Sequence, residues 1–267
     1  MVRIEIDQVD DPRVADFVSL RDASLRRRIE PERGIFIAEG ATIIQRAVAS
    51  GCQPRAFLLA ERWLPGLADT LAAWPEVTCY VAGEAVIEQI SGFHVHRGAL
   101  GSFRRPEPTP WERFTQARRV IVCESLVDHA NIGAIMRTAA ALGWDGVLVS
   151  PDSADPLYRR AIKASMGASL QVPWRRMERA DDLRRLSQAG FTLAATVLSD
   201  QALGPEALPA ADRLALLVGS EGHGLSAQWR ELADVEVSIQ MAAGVDSLNV
   251  ATALGIFAYL LRPGAPR

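Results

Sequence analysis

The sequence predicts an α/β protein with two domains, of which the first is the smaller. Short apolar segments rich in strand formers alternate with amphipathic segments, a pattern typical of α/β domains. The alternation stops at a proline-rich stretch after Arg104 and then starts again. With 267 residues, 49% of them hydrophobic, the chain can form two cores of ordinary size. We therefore place a first domain at 1–105, a linker at 106–117 and a second domain at 118–267.

The first domain opens with a basic cluster and continues as alternating strands and helices. Arg26, Arg27 and Arg28 are consecutive, and Arg33 follows them closely. Either a solvated helix face or an RNA contact explains such a cluster. Beyond it, strands are predicted at 34–38, 55–59 and 78–81, and helices at 42–49, 67–73 and 84–90.

The second domain has the same alternation and a strongly apolar last helix. We expect Asp128 or Asn131 to cap its first helix and Ser247 to cap its last one. The last helix is apolar on almost every side, which predicts burial on more than one side and leaves room for a partner subunit. Strands are predicted at 119–123, 146–149, 191–196 and 235–239, with another from Leu214 onward, and helices at 131–142, 156–164, 181–188 and 247–261.

The strand that begins at Leu214 leads into a glycine loop. Gly219, Gly222 and Gly224 surround one carboxylate, Glu221. Loops at the carboxyl ends of strands in α/β sheets are common ligand sites, and glycine lets the backbone approach a ligand closely. The glycine order differs from the dinucleotide fingerprint, and no Gly-Lys-Ser/Thr of a P-loop follows. A glycine turn without a ligand is the alternative.

Two further segments carry polar residues that suggest a shared site. In the helix at 131–142, Arg137 lies nearly opposite the apolar face, and Gly133 lies one turn before it. An exposed surface arginine is the simpler interpretation of this helix alone. Near the end of the chain, Ser247 and Asn249 lie where the free N–H groups of the last helix gather.

Taken together, these three segments resemble the three motifs of the SpoU/TrmH family, which are SPOUT-class RNA methyltransferases. The resemblance covers about 120–260 and includes Asn-x-Gly-x-x-x-Arg, Gly-Ser-Glu-Gly-x-Gly-Leu and Ser-Leu-Asn. It departs from the family at Gln240, where a proline is usual, and at 127–130, which replaces a Pro-Gly-Asn type turn. The first half is similar to the family's L30e-like substrate-binding domain through its arginines, 36–40 and 96–99.

The resemblance implies a trefoil-knotted, mostly parallel sheet that binds S-adenosylmethionine and methylates a ribose 2′-hydroxyl of RNA. A guanidinium is a poor base, so we do not expect Arg137 to remove the hydroxyl proton. We expect it to bind a phosphate and to stabilise the negative charge that develops on the 2′-oxygen. The implied catalytic set is Arg137, Asn131, Glu221, Ser247 and Asn249. The implied cofactor contacts are Thr196, Gly219, Ile239, Met241 and Leu248. The predicted RNA contacts are Arg26, Arg27, Arg28, Arg33, Arg159, Arg160 and Lys163.

Composition restricts the class of protein and its partners. The formal charge of −3 requires any RNA contact to come from local patches. Three scattered cysteines without a Cys-x-x-Cys pair indicate a reducing, cytoplasmic setting and no metal site. No apolar run reaches bilayer length, so no membrane contact is expected. The resemblance implies two partners: structured RNA, ribosomal in preference to transfer RNA, and a second copy of the chain bound through the C-terminal domain. A non-catalytic RNA-binding dimer is the competing hypothesis.

Overall fold

The structure is a computed structural model that describes residues 2–93, 98–208, 211–242 and 245–264. The described chain forms two compact units. The first contains the residues up to Glu107, together with 157–163, and the second contains 108–156 and the residues from Ala164 onward. The sequence places 157–163 in the second domain, whereas the structure packs this segment within the first unit.

A mixed five-stranded sheet organises the first unit. Its strand order is β1-β4-β3-β5-β2, with β1, β4 and β3 parallel and β5 antiparallel to both of its neighbours. Ile87 and Ile90 of α4 pack on this sheet together with Val14, Phe17 and Leu20 to form a hydrophobic core. The strands are β1 (Val2–Glu5), β2 (Ile35–Glu39), β3 (Pro54–Leu59), β4 (Thr78–Val81) and β5 (Ala99–Arg104), and the helices are α1 (Ala23–Glu32), α2 (Ala41–Ala49), α3 (Ala68–Ala72) and α4 (Glu84–Ser91).

The strand β5 is absent from the sequence-based prediction. Five of its six residues are buried because it lies between β2 and β3, so it shows no alternation of apolar and polar residues. Gly101 and Ser102 further weaken its strand signal. His96 and Arg97, which belong to the resembling segment before β5, lie outside the described residues.

An entirely parallel six-stranded sheet organises the second unit. Its order is β11-β9-β10-β6-β7-β8, and β10 lies at its centre with all five residues buried. The strands are β6 (Arg119–Cys123), β7 (Gly146–Val149), β8 (Trp174–Arg176), β9 (Thr192–Thr196), β10 (Leu214–Val218) and β11 (Val235–Val237). The helices of this half of the chain are α5 (Trp111–Thr115), α6 (His129–Leu142), α7 (Arg159–Ala164), α8 (Arg184–Gln188), α9 (Ala227–Glu231) and α10 (Val250–Leu260).

The α/β class and the mostly parallel second sheet are confirmed. The predicted strands lie within two residues of observed ones, although β1, β5 and β8 were not predicted. The predicted helix at 181–188 is a 3-10 turn, Ala180–Leu183, followed by α8. The trefoil knot stays a prediction.

Among the described residues, no helix has the length and apolar character needed to cross a lipid bilayer.

Candidate active site

A cavity of about 340 Å³ lies in the second unit, where β9, β10 and β11 end. Parallel strands deliver their carboxyl ends to one edge of a sheet, which is where ligands bind in open α/β folds. The residues that follow these strands form much of its wall, and α10 contributes Ala253 and Phe257. All five predicted cofactor residues line the cavity: Thr196, Gly219, Ile239, Met241 and Leu248.

The glycine loop folds back on itself directly after β10. The Ser220 N–H donates to the Gly224 carbonyl at 3.2 Å, and the Gly224 N–H donates to the Ser220 carbonyl at 2.8 Å. Gly224 has a φ of +66°, which favours glycine. A Cβ on Gly219 would lie 2.1 Å from the carbonyl carbon of Gly224, so no side chain fits there. The sequence at 219 and 224 therefore determines the closed shape of the loop.

A chain of side-chain hydrogen bonds joins the three segments that the sequence singled out. Asn131 on α6 donates through Nδ2 to Oε1 of Glu221 in the glycine loop. Asn249 donates through Nδ2 to Oδ1 of Asn131 at 3.1 Å. These residues are 90 and 118 positions apart in the sequence, yet their side chains form one polar cluster.

Asn249 also caps α10. Its Oδ1 accepts the backbone N–H groups of Ala251 at 3.0 Å and Thr252 at 3.3 Å. The prediction that Ser247 is the cap was therefore wrong, because Asn249 occupies the position from which a side chain reaches the free N–H groups. Ser247 is exposed and lines the cavity instead. The cap fixes the Asn249 amide while its Nδ2 faces Asn131.

Arg137 is exposed on α6 and is not part of the cavity wall. It follows Asn131 by six residues, which corresponds to about 9 Å along the helix axis. Asp128 caps α6 by accepting the Ala130 N–H at 2.8 Å, and α6 packs against α10. The guanidinium is thus carried by the same helix that brings Asn131 to Glu221 of the cavity wall.

The chain between β6 and α6 is held by a hydroxyl and carboxylate cluster that the sequence did not indicate. Ser125 has a φ of +53° and donates through Oγ to Asp152 at 2.5 Å. Burial would raise the pKa of the Asp152 carboxyl, but hydrogen bonds from Ser125 and Ser150 and the charge of Arg176 hold that pKa below its ordinary value. The carboxylate therefore stays ionised and stabilises the turn that leads into α6.

The charged groups of the cavity wall differ in sign and in partners. Glu221 accepts from Asn131, as described above. Arg230 forms an ion pair with Glu236 through Nη2 and Oε1 at 2.7 Å. His223 also lines the cavity and is exposed on the glycine loop. The wall therefore offers one carboxylate, one guanidinium and one imidazole among the described residues.

Arg26 has to be withdrawn from the predicted RNA contacts. Its side chain is 0% exposed and forms an ion pair with Glu30 at 2.8 Å. Its Nη2 also donates to the Asp16 carbonyl at 2.9 Å. Because α1 turns this residue toward the core, the guanidinium is unable to reach a phosphate.

Replacing Arg26 by alanine should lower the free energy of unfolding by about 3–5 kcal/mol, because it removes one partner of a buried ion pair. Arg27→Ala is the matched control, since Arg27 is exposed on the same helix and such changes stay within about 0.5 kcal/mol. Urea unfolding of both variants measures the difference. Equal stability of the two variants would contradict the structural role of Arg26.

Arg159 is mostly engaged inside the first unit. It pairs with Glu39 at 3.0 Å and donates to the Leu20 carbonyl, and its guanidinium lies 4.6 Å from the Phe93 ring centre. These contacts leave it little capacity for RNA. Lys163 shares Glu39 at 2.9 Å but stays largely exposed. Arg27, Arg28, Arg33 and Arg160 are exposed, and Arg33 lies 3.9 Å from Asp16.

The described residues contain no recognisable metal-binding site. No group of three or more His, Cys, Asp or Glu side chains there is arranged to hold an ion. Cys79 and Cys123 are buried free thiols, and burial raises the pKa of both; for Cys79 the value is about 11. Both thiols therefore stay protonated and unreactive at neutral pH.

Comparison with known proteins shows one consistent set of relatives. The profile of the SpoU rRNA Methylase family matches residues 118–259. An uncharacterized tRNA/rRNA methyltransferase of Mycobacterium bovis is 42% identical over 94% of this chain and 88% of its own length. The Bacillus subtilis 23S rRNA (guanosine(2553)-2'-O)-methyltransferase RlmP is 25% identical over 97% of this chain and 99% of its own. The crystal structure of AdoMet-bound rRNA methyltransferase from Sinorhizobium meliloti superposes with a TM-score of 0.82, at 25% identity and 96% coverage of both chains.

Proposed function

The chain belongs to the SpoU rRNA methylase family, and from this premise we propose that it transfers a methyl group from S-adenosylmethionine to a ribose 2′-hydroxyl of RNA. The observation that carries the proposal is the polar cluster of Asn131, Glu221 and Asn249 at the edge of the cavity. The cluster joins three segments far apart in sequence, and Glu221 connects it to the cavity wall. Large-subunit ribosomal RNA is the proposed substrate.

The cavity suits S-adenosylmethionine in size and in the chemistry of its wall. Its volume falls in the range of about 300–1,000 Å³ that small-molecule sites occupy. Apolar residues such as Val218, Val250 and Phe257 suit the adenine, and Glu221 suits a positively charged group. The cofactor supplies an activated methyl group on a sulfonium, whose leaving thioether is neutral. The protein therefore needs mainly to hold and orient the reactants.

We assign the orienting role to the polar cluster and the charge-stabilising role to Arg137. The hydrogen bonds of Asn131 fix Glu221 on one side and Asn249 on the other. The exposed guanidinium of Arg137 is available for an RNA phosphate and for the negative charge that grows on the 2′-oxygen. Since a guanidinium keeps its proton, the hydroxyl proton leaves to water or to another acceptor.

Two observations support ribosomal RNA as the proposed substrate: the name of a relative and the exposed arginines of the first unit. The B. subtilis relative carries the name of a 23S rRNA 2′-O-methyltransferase, and it aligns with nearly the whole chain. Arg27, Arg28 and Arg160 are exposed and suited to phosphate contacts, with Lys163 and Arg33 beside carboxylates. These observations favour ribosomal RNA, with transfer RNA as the second candidate.

We also propose that two copies associate through α10. Ile256, Tyr259 and Leu260 are exposed on this helix, while Leu254 and Phe257 are buried on its other side. An apolar helix face of this kind suits a partner surface. Light scattering of the purified protein tests the proposal, and a monomer at micromolar concentration would contradict it.

Incubation of the full chain with tritiated S-adenosylmethionine and either ribosomal or transfer RNA tests the main proposal. We expect label in ribosomal RNA, recovered after nuclease digestion as a 2′-O-methylnucleoside. Label in transfer RNA alone would move the substrate to the second candidate. Label on a base would contradict ribose methylation. RNA binding without any cofactor uptake would identify a non-catalytic binder.

A further inference from the structure

The cavity wall contains one guanidinium for which the proposed reaction has no role. We propose that Arg230 binds the carboxylate of the methionine part of S-adenosylmethionine. The inference rests on the proposed function, because it takes the cofactor as given. It adds a binding residue outside the three motifs that the sequence analysis used.

Arg230 is held in place by the short helix that follows the glycine loop. The Ser226 N–H at the start of α9 donates to Oε2 of the buried Glu124 at 2.8 Å. Trp229, next to Arg230, is buried in the core of the second unit. These two anchors fix α9, so the Arg230 side chain starts from a rigid position beside the cavity.

The ion pair of Arg230 leaves part of its guanidinium available. Nε and Nη2 both contact the same oxygen, Oε1 of Glu236, at 2.8 and 2.7 Å. Within the described residues, Nη1 has no hydrogen-bond partner. The two side chains are 49% and 36% exposed, and ion pairs this exposed contribute little to stability. A ligand carboxylate can therefore share or replace Glu236 at small cost.

The distribution of charge around the cavity orients a zwitterionic ligand. Arg230 reaches the β9–β11 side, because Glu236 lies on β11 and pairs in register with Ala195 of β9. Glu221 instead contacts Asn131 on α6, the helix that follows β6. On the first side a ligand carboxylate can pair with Arg230 by sharing or replacing Glu236, whereas on the second side it meets the carboxylate of Glu221. The arrangement leaves the side with α6 and Arg137 for the RNA.

Two ligands that differ in the methionine tail provide the test. S-adenosylhomocysteine carries the carboxylate, whereas 5′-methylthioadenosine lacks the whole aminobutyrate part. We expect Arg230→Gln to weaken S-adenosylhomocysteine binding to the full chain at least about tenfold, as for loss of one hydrogen bond between charged groups that the bound ligand shields from water. Binding of 5′-methylthioadenosine should change less than about twofold. Isothermal titration calorimetry measures both affinities without any RNA.

Glu236→Gln is the matched control, since it removes the competing carboxylate and keeps the guanidinium. It should leave S-adenosylhomocysteine binding unchanged or tighter. Equal weakening of both ligands by Arg230→Gln would overturn the proposal, because it would indicate a damaged cavity. No effect on either ligand would also overturn it and, if RNA affinity fell, would make Arg230 a phosphate contact. If the wild-type protein bound neither ligand, the cofactor assignment itself would fail.

Discussion

Replacing Gly219 by alanine should strongly weaken cofactor binding while the second unit stays folded. The added Cβ would lie 2.1 Å from the carbonyl carbon of Gly224 and 2.3 Å from the backbone nitrogen of Leu225. Because both neighbours are backbone atoms, the whole loop has to move, and Glu221 moves with it. Loss of the preformed wall should weaken S-adenosylhomocysteine binding by at least about 100-fold, equivalent to about 2.7 kcal/mol.

Gly222→Ala is the control for this prediction. It lies in the same loop, and a Cβ there would meet nothing within 4 Å. Calorimetry should find its affinity within about threefold of the wild type, a change below 1 kcal/mol. If Gly219→Ala bound the ligand as well as Gly222→Ala, the glycine loop would not form the cofactor wall.

Replacing Arg137 by alanine should reduce methyl transfer by about 100- to 1,000-fold, the usual loss when one charge-stabilising donor is removed from a reaction centre. Cofactor affinity should remain unchanged, because Arg137 does not line the cavity. Single-turnover transfer from tritiated S-adenosylmethionine measures the rate, and calorimetry measures the affinity.

Arg137→Lys separates charge stabilisation from a role as a base. Lysine keeps the charge but loses the planar fork, so we expect partial activity and no new ionisation in the pH profile. A lysine enzyme with high activity and a new, lower ionisation would instead support proton removal at this position. Full activity of Arg137→Ala would remove the residue from the reaction altogether.

Five of the six strands of the second unit could be predicted, because their own residues favour the extended backbone. β10 is apolar at every position, so a central parallel strand is evident from Leu214 to Val218 alone. β5 is also buried at five of its six positions, but Gly101 and Ser102 lower its strand propensity. Only its pairing with β2 and β3 shows that it is a strand. Local sequence therefore predicts a strand when its residues favour the extended backbone themselves.

The structure brings some of the predicted site residues together and leaves others apart, for a similar reason. The glycine loop and Asn131 lie in recognisable motifs, and the structure brings Asn131, Glu221 and Asn249 together. The sequence pattern does not distinguish Arg26 from Arg27. In the structure Arg26 is buried against Glu30, whereas Arg27 is exposed. Arg230 has no motif around it, so only its place in the cavity wall indicates a role.

The sequence by itself determined the α/β class, the glycine loop and the family, because these depend on residue types at short spacing. The tertiary structure alone decided which arginines reach solvent, which residue caps α10 and which charges share the cavity. The structure alone also forms the polar cluster, which joins Asn131 to Glu221 and Asn249, 90 and 118 positions away in the sequence. The direction of a side chain is set by the packing of its element, and no short stretch of sequence contains that information.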